Sequence, residues 1–422
     1  MFTSEQKKII ALSSLGGGLE FYDFIIFVFF AKIIGDLFFP TTNAVASLMG
    51  ALAVFAIGYL SRPLGGFIFG HLGDRFGRKK TFVISVFLMA IPTFLIGLLP
   101  TYHQAGLIAP IFLIILRLLQ GLSVGGEIPG AIVFVIETVI ERYRGFATGL
   151  IFFGVNNGLL AGSLFSSLIQ NILTHQQVLS WGWRLPFLLG GLLGFLSYYL
   201  RKRLRETPAF EQLLLRKQQT RWPLKHVFMV YPWKVFQGAL ITAMQAVLIG
   251  LMFLFLPTYL SSFFHFSLSA LLTLNTINIL IFNFPVLITS YLSDRIGRKK
   301  IISIGLIFFT CFPYGLFSLF HYQKMTLVVI VTTVCGLLAS CVTGCFSCMM
   351  AELFPTPVRY SGTAICYNLG FGIVGGLTPL IATALIKWSH NVLAPSWCLM
   401  FIAAASLIAL LFMRETYRVP LS

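Results

Sequence analysis

The chain has 422 residues, of which 57% are apolar and only 10% charged, and its formal charge is +17; its mean hydropathy is +0.89. A soluble domain carries about 25% charged residues, so this composition excludes a fold covered by water. The basic excess sits in short gaps between apolar runs rather than on one exposed element, which excludes a nucleic-acid-binding face.

One bilayer crossing takes about 20 apolar residues, and apolar runs of that size recur along the chain. The sequence predicts six helices over 15–39, 44–70, 81–100, 106–135, 146–172 and 182–200. A basic segment follows, and then six more over 236–260, 267–291, 301–321, 325–350, 362–387 and 392–413. Lys7 and Lys8 ahead of the first run mimic a signal peptide, but Glu20 and Asp23 interrupt the run, so a retained helix is expected. Lysine and arginine set the orientation. Arg184, Lys324 and Lys387 are the basic residues outside the spans on one side; the other side holds both terminal segments, the GRKK loops and the whole 201–234 segment. Both termini are therefore expected in the cytoplasm. The segment 201–234 reads as an amphipathic helix resting on anionic headgroups, or more plainly as a solvated topogenic linker.

HLGDRFGRKK at 71–80 returns as YLSDRIGRKK at 291–300, each copy after the second helix of its half. Glu137, Arg144 and Gly145 are echoed by Glu352, Arg359 and Gly362, and Arg205-Glu206-Thr207 by Arg414-Glu415-Thr416. Three landmarks in the same order predict an all-α membrane protein of two pseudo-symmetric six-helix bundles, residues 1–200 and 235–422, joined by 201–234. Duplicated halves around a midplane site are transporter architecture.

GHLGDRFGRKK resembles the loop signature between the second and third helices of the major facilitator superfamily. LEFYDF at 19–24, YLSRPLGGFIFGHLGDR at 59–75, RLLQGLSVGGE at 117–127 and WGWRLPFLLG at 181–190 extend the resemblance over essentially the whole chain. Together they resemble the metabolite:proton symporter family, which includes proline/betaine, ketoglutarate, citrate and shikimate carriers. The resemblance implies a cytoplasmic gate in which Asp74 faces the start of the eleventh helix at Tyr360-Ser361-Gly362. By pseudo-symmetry Asp294 would face the fifth helix near Gly145. Arg75, Gly77 and Arg78, with Arg295 and Arg298 in the second copy, belong to the same gate. Glu137 with Arg144, and Glu352 with Arg359, would extend each copy into a charge network. Topology alone explains the basic residues here, but not a duplicated aspartate.

A charge near the bilayer centre costs about 2.5–3.5 kcal/mol on insertion scales, so each one needs a reason. Glu20 and Asp23 share a face of the first helix, and Arg117, Gln120 and Glu127 form a polar stripe on the fourth. Glu20, Asp23 and Glu127 are candidate proton carriers, and Arg117 a candidate for holding a substrate carboxylate. Arg117 paired permanently with Glu20 or Asp23 is the plainer alternative, and Arg62 reads as structural. Tyr22, Asn156, Asn157, Gln245, Asn275, Asn278, Tyr367 and Asn368 are candidate cavity residues, or else interhelical hydrogen-bonding glue. Cys341, Cys345 and Cys348 have no partner ligands in the pattern, so no metal is expected. GGGLE at 16–20 lacks the strand and Lys-Ser/Thr of a phosphate loop, so no nucleotide is expected either.

The expected function is uptake of a small carboxylate-bearing metabolite with protons, by alternating access, at the inner membrane of a bacterium and as a monomer. No cofactor is expected beyond the coupling proton, and no enzymatic activity. Proton-driven drug efflux and a transport-dead sensor are the alternatives.

Overall fold

The computed structural model describes residues 2–421, and among these it is all-helical. Ten helices are long and apolar enough to cross a membrane: Ser4–Phe29, Ala46–Phe76, Arg78–Leu98, Ile108–Thr138, Glu141–Ile172, His175–Lys202, Pro232–Phe264, Ala270–Ile296, Met325–Glu352 and Thr356–Ser389. Arg298–Cys311 and Pro313–Tyr322 make a bent pair at 53°, and Pro395–Leu411 is a shorter apolar helix. Counted by length and composition, 10 or up to 11 helices can cross, with the shorter one beside them. Below, helices are numbered first to twelfth in the order the sequence predicts, the bent pair being the ninth. Large apolar side chains such as Leu60, Phe284, Leu380 and Phe401 stand exposed on the outer faces. In water that would be an aggregation hazard; against lipid tails it is the expected surface. The chain is a multi-pass membrane protein.

Several boundaries differ from the sequence reading, each for a local reason. The first helix begins at Ser4 rather than 15, because Thr3 and Gln6 form a reciprocal capping box. The third begins at Arg78 rather than 81. The turn before it is made by Gly77 at φ 115, and Gly297 at φ 110 repeats that turn before the ninth helix, a conformation that favours glycine. The ninth is not one run to 321: it breaks at Phe312, and Pro313 starts a new helix. In the 201–234 segment the single expected helix is two short ones, Pro208–Leu215 and Pro223–Val230. Lys217, at φ 54, and then Pro223 separate them.

The helices approach closely where glycine removes the side chain. Gly18 faces Gly154 and Gly158 between the first and fifth helices. Gly70 and Gly73 of the second lie against Ser361 and Tyr360 of the eleventh, while Gly145 and Gly149 of the fifth lie against Ser290 and Ser293 of the eighth. These two contacts, second with eleventh and fifth with eighth, join the first six helices to the last six. Both described chain ends lie on the face that carries the GRKK loops: Gln6 Nε2 donates to the Thr138 carbonyl, and the Val419 carbonyl accepts from Arg144. Stretches of wider, π-helical winding at Ile249–Phe255 and Leu369–Gly375 interrupt the seventh and eleventh helices. Such bulges gather at functional sites, and Ile249, Leu254 and Phe371 line the central cavity.

Candidate functional site

The cavity of about 70 Å³ between the helices is lined by Glu20, Asp23, Arg62, Arg117 and Gln120, with Phe24, Phe55 and Tyr59. Two ion pairs cross it. Arg62 Nη2 stands 3.5 Å from Glu20 Oε1, and Arg117 Nη1 stands 3.1 Å from Asp23 Oδ2. Gln120 ties the second pair together: its Oε1 accepts from Arg117 Nη1 at 2.9 Å, and its Nε2 donates to Asp23 Oδ2 at 2.9 Å and to Thr93 at 2.7 Å. Aromatic faces carry the cations from behind, Phe27 at 3.6 Å from the Arg117 guanidinium carbon and Tyr59 at 4.8 Å from that of Arg62. All four charged side chains are buried, yet Arg117 Nε and Nη2 and Glu20 Oε2 have no hydrogen-bond partner. Buried polar atoms are nearly always satisfied, so this cluster is incomplete by itself. The open Nε/Nη2 edge is the one on which a carboxylate binds through two oxygens.

A larger cavity of about 760 Å³ shares Phe21, Leu159, Ile249 and Leu254 with the first. It lies between the first, fifth, seventh and eighth helices, toward the ends away from the GRKK loops, and Asn156 and Asn275 line it. Asn275 there donates to the Phe253 carbonyl at 2.9 Å. Asn156 and Asn157 meet Asn283 of the eighth helix at 3.1 and 3.3 Å. Other proposed cavity residues lie elsewhere. Tyr22 donates to the Pro186 carbonyl, Gln245 accepts from Thr343, and Asn368 donates to the Gly125 carbonyl. Asn278 sits in a small pocket with Met252 and Thr332, and Tyr367 is buried with its ring 6.0 Å from the Arg62 guanidinium. Glu127 shares a helix face with Arg117 but lies about 10 Å further along from Gln120, at about 1.5 Å per residue. It pairs there with Arg201 at 2.6 Å and accepts from Ser85 at 2.5 Å, apart from the cavity.

At the loop face, both aspartates cap a helix of the other half. Asp74 accepts from the Tyr360 and Ser361 amides at 3.1 and 2.8 Å, and Asp294 from the Gly145 and Phe146 amides at 2.8 and 2.7 Å. A carboxylate at a helix N-terminus meets both free amides and the positive end of the dipole. Each aspartate also pairs one turn on, Asp74 with Arg78 at 3.0 Å and Asp294 with Arg298 at 3.4 Å. Each glutamate pairs with the loop arginine of its own half and with the helix-start arginine of the other half, not with the helix-start arginine of its own half that the sequence suggested. Glu137 takes Arg359 at 2.8 Å together with Arg78 at 3.2 Å, while Glu352 takes Arg298 at 2.8 Å and Arg144 at 3.8 Å. Arg144 and Arg359 open the fifth and eleventh helices, which stand at the seam between halves, so their side chains reach over it. Arg75 and Arg295 are exposed and stack on Phe76 and Tyr291.

The sequence reading missed two members of this face. Glu206 accepts from the Lys79 amide at 3.1 Å, and Glu415 from the Arg298 and Lys299 amides at 3.1 and 3.0 Å. They cap the third and ninth helices where Gly77 and Gly297 turn the chain. Burial pushes the Glu206 carboxyl above its ordinary range. Their signal was visible as the repeated Arg-Glu-Thr, but only the fold gives it an address.

Residues 9–227 match the family described as Sugar (and other) transporter, and residues 239–421 match the Major Facilitator Superfamily. The chain belongs to the major facilitator superfamily. A glycine betaine/proline/ectoine/pipecolic acid transporter, OusA, of Dickeya dadantii (strain 3937) is 37% identical over 430 residues, covering 98% of this chain and 84% of the relative. The proline/betaine transporter of Escherichia coli (strain K12) is 35% identical over 431 residues, covering 98% and 85%. Among solved structures, the proton:xylose symporter XylE bound to 6-bromo-6-deoxy-D-glucose has the same fold, with a TM-score of 0.80 at 17% identity over 99% of this chain and 98% of that one. A partially occluded inward-open conformation of the xylose transporter XylE from E. coli matches at a TM-score of 0.70 and 19% identity, over 98% and 99%.

Proposed function

We propose that the protein is a secondary transporter of the bacterial inner membrane that takes up a small carboxylate-bearing metabolite, of the proline or betaine type, together with protons. The observation that carries this reading is the open Nε/Nη2 edge of Arg117, buried in the central cavity while its Nη1 is held by Asp23 and Gln120. A carboxylate completes that edge, and Asp23 is the group whose proton then matters. A proton on Asp23 cancels its charge, weakens its hold on Arg117 and leaves the guanidinium to the substrate. Loss of that proton restores the internal pair and favours release. Glu20 with Arg62 repeats the arrangement one turn earlier in the first helix, while Glu127 is engaged with Arg201 and acts within the first half. The relatives that transport proline and betaine support the substrate class.

Twelve spans form two bundles, 1–200 and 235–422, that rock about the cavity. The linker and both termini face the cytoplasm, and the carrier works as a monomer. Exposed Leu215, Trp222 and Met229 beside Arg216, Arg221 and Lys225 suit the linker to anionic headgroups. The two formed aspartate caps and the larger cavity at the opposite end support reading this conformation as closed toward the cytoplasm, with opening requiring both caps to release. The test is counterflow of a labelled metabolite panel in proteoliposomes, with and without an imposed pH gradient. Uptake of a zwitterion or organic acid that rises with inward proton flow is expected. No uptake of either, and no effect of the gradient, refutes the reading.

A further inference from the structure

The seam between the fifth and eighth helices carries a polar contact deep in the membrane. Asn283 lies about 16 Å from Asp294 along the eighth helix, at about 1.5 Å per residue, near the middle of a hydrocarbon core about 30 Å thick. Its amide is given over to the other half. Oδ1 accepts from Asn156 Nδ2 at 3.1 Å, while Nδ2 donates to Asn157 Oδ1 at 3.3 Å and reaches the Phe153 carbonyl at 3.5 Å. Toward the loops from this level the two helices touch, with Gly149 against Ser290 and Gly145 against Ser293. Away from the loops they part, and Ser163 and Ser167 of one helix line the larger cavity with Leu272 and Asn275 of the other. Asn156 lines that cavity too, so the asparagines stand at its base. Pro285, inside the eighth helix beside the clasp, interrupts the backbone ladder where a helix bends most easily.

The other seam is built differently at the same level. The decapeptide repeat, displaced by 220 residues (291 − 71), puts Pro63 where the second half has Asn283. The two caps match Gly145 with Tyr360 and Phe146 with Ser361, which puts Gly372 where the first half has Asn157. These two residues do meet: a Cβ on Gly372 would stand 3.4 Å from Pro63 Cγ. Neither side chain offers a donor or an acceptor, and Gly372 lies in the widened stretch Leu369–Gly375. Asn368 crosses this seam to the Gly125 carbonyl, but about one turn nearer the loops. A proline resting on a glycine can slide, whereas directional amide bonds fix a point. Asn283 is 2% exposed, so breaking its bonds would strand an amide where no water reaches it. Resting on the transport reading above, we propose that Asn283, clasped by Asn156 and Asn157, is the pivot on which the two halves turn. The clasp is kept through the cycle while the contacts on either side of it exchange, and the second and eleventh helices slide at Pro63.

The test asks which contacts survive movement, in the full chain reconstituted in proteoliposomes. Asn156→Cys with Asn283→Cys is bridged by a short bis-methanethiosulfonate that enters through the larger cavity. Phe146→Cys with Tyr291→Cys, whose native rings meet at 5.9 Å near the loops, is bridged in the same way, and peptide mass confirms each bridge. Opening is read as the maleimide labelling rate of Cys348, which is fully buried, and uptake is read separately with labelled glycine betaine. The bridge at the asparagines should leave the labelling rate within about twofold of the unbridged protein, and the bridge near the loops should hold it at background. Asn283→Leu is a second arm. It removes a bond present in every state, so the Tm should fall while the labelling rate stays within about twofold. Loss of a bond that breaks on opening would instead speed labelling about threefold to twentyfold, the range that interhelical hydrogen bonds in membranes span. Faster labelling in Asn283→Leu, or an asparagine bridge that blocks opening, overturns the pivot. No opening of the unbridged protein overturns it as well, together with alternating access. Opening that tolerates the asparagine bridge without any glycine betaine uptake sinks the transport reading and leaves the pivot standing, whereas uptake that the bridge abolishes does the reverse.

Discussion

The two copies of the decapeptide loop build the same cap with different strength. In the first copy, Glu137 gathers Arg78, Arg359 and the Thr207 hydroxyl, the last at 2.7 Å, and all of these side chains are buried. In the second, Arg298 divides its donors between Glu352 and the Cys348 sulfur at 3.3 and 3.4 Å, and Arg144 reaches Glu352 only at 3.8 Å. Sulfur is a weak acceptor, and a pair at that length contributes little. The position matching Cys348 in the first half, four residues before its glutamate, is Val133, which offers no acceptor. The shared Asp-Arg-x-Gly-Arg-Lys-Lys therefore does not set the strength of the contact; the residues it meets from the fourth and tenth helices do. The contact between the second and eleventh helices is the better satisfied of the two, so the contact between the fifth and eighth is expected to yield first if the halves part.

The widest separation between the copies should come from the glutamates. Removing one partner of a buried pair costs about 3–5 kcal/mol. Glu137→Ala removes an acceptor that two guanidiniums and the Thr207 hydroxyl share at 3.2, 2.8 and 2.7 Å, although Arg78 keeps Asp74 and Arg359 keeps the Phe354 carbonyl. Glu352→Ala removes one short and one 3.8 Å pair, after which Arg298 keeps Asp294 and Arg144 keeps the Val419 and Ile136 carbonyls. Thermal unfolding in detergent should show Glu137→Ala melting several degrees below Glu352→Ala, and the reverse order would break the comparison. Next in size are the caps. Asp74→Asn and Asp294→Asn each lose a charged acceptor for two helix amides, worth about 1.5–3 kcal/mol per bond to a charged group. Each should slow turnover about tenfold or more in proteoliposomes while leaving substrate affinity within a few-fold; wild-type turnover in both would remove the gate.

Smaller effects sharpen the asymmetry. Glu206→Gln and Glu415→Gln weaken helix capping, an effect on the order of 1 kcal/mol, and mass-spectrometric hydrogen exchange should show faster exchange at the starts of the third and ninth helices respectively. No change at those two starts would deny the glutamates their capping role. The smallest effect is expected from Cys348→Val, which copies the first half: stability should move by about 1 kcal/mol or less. Cys348 also offers a report on opening, because it is fully buried in this structure. Maleimide labelling of Cys348 should be slow in wild type and faster in Asp294→Asn, and equal rates would mean that the fifth and eighth helices do not part there.

Much of this was readable in the chain itself. Apolar run lengths announced the helices, and the repeated Asp-Arg-x-Gly-Arg-Lys-Lys marked the paired loops that carry Asp74 and Asp294. The charged residues that need a reason in a membrane, Glu20, Asp23, Arg62 and Arg117, are the ones that line the small cavity. Other features were hidden. Phe24, Phe55 and Tyr59 look like any aromatic residues in an apolar helix, since nothing in a run of 43 phenylalanines marks which ones meet. Asn283 joins Asn156 and Asn157 only because the fifth and eighth helices pack together. Glu127 seemed to belong with Arg117 because the helical period puts both on one face; the period says nothing of the level at which a neighbour such as Arg201 arrives.

What the sequence determined by itself is local and one-dimensional: which stretches exclude water, where backbone turns need glycine, and which side carries the basic loops. These follow from transfer free energy and from backbone sterics, which act residue by residue. Tertiary structure alone decided the partners. Glu137 takes Arg359 from the far half, Asp23 rather than Glu20 takes Arg117, and one edge of that arginine is left open, because an ion pair depends on inverse distance and distance is set by how helices remote in sequence pack.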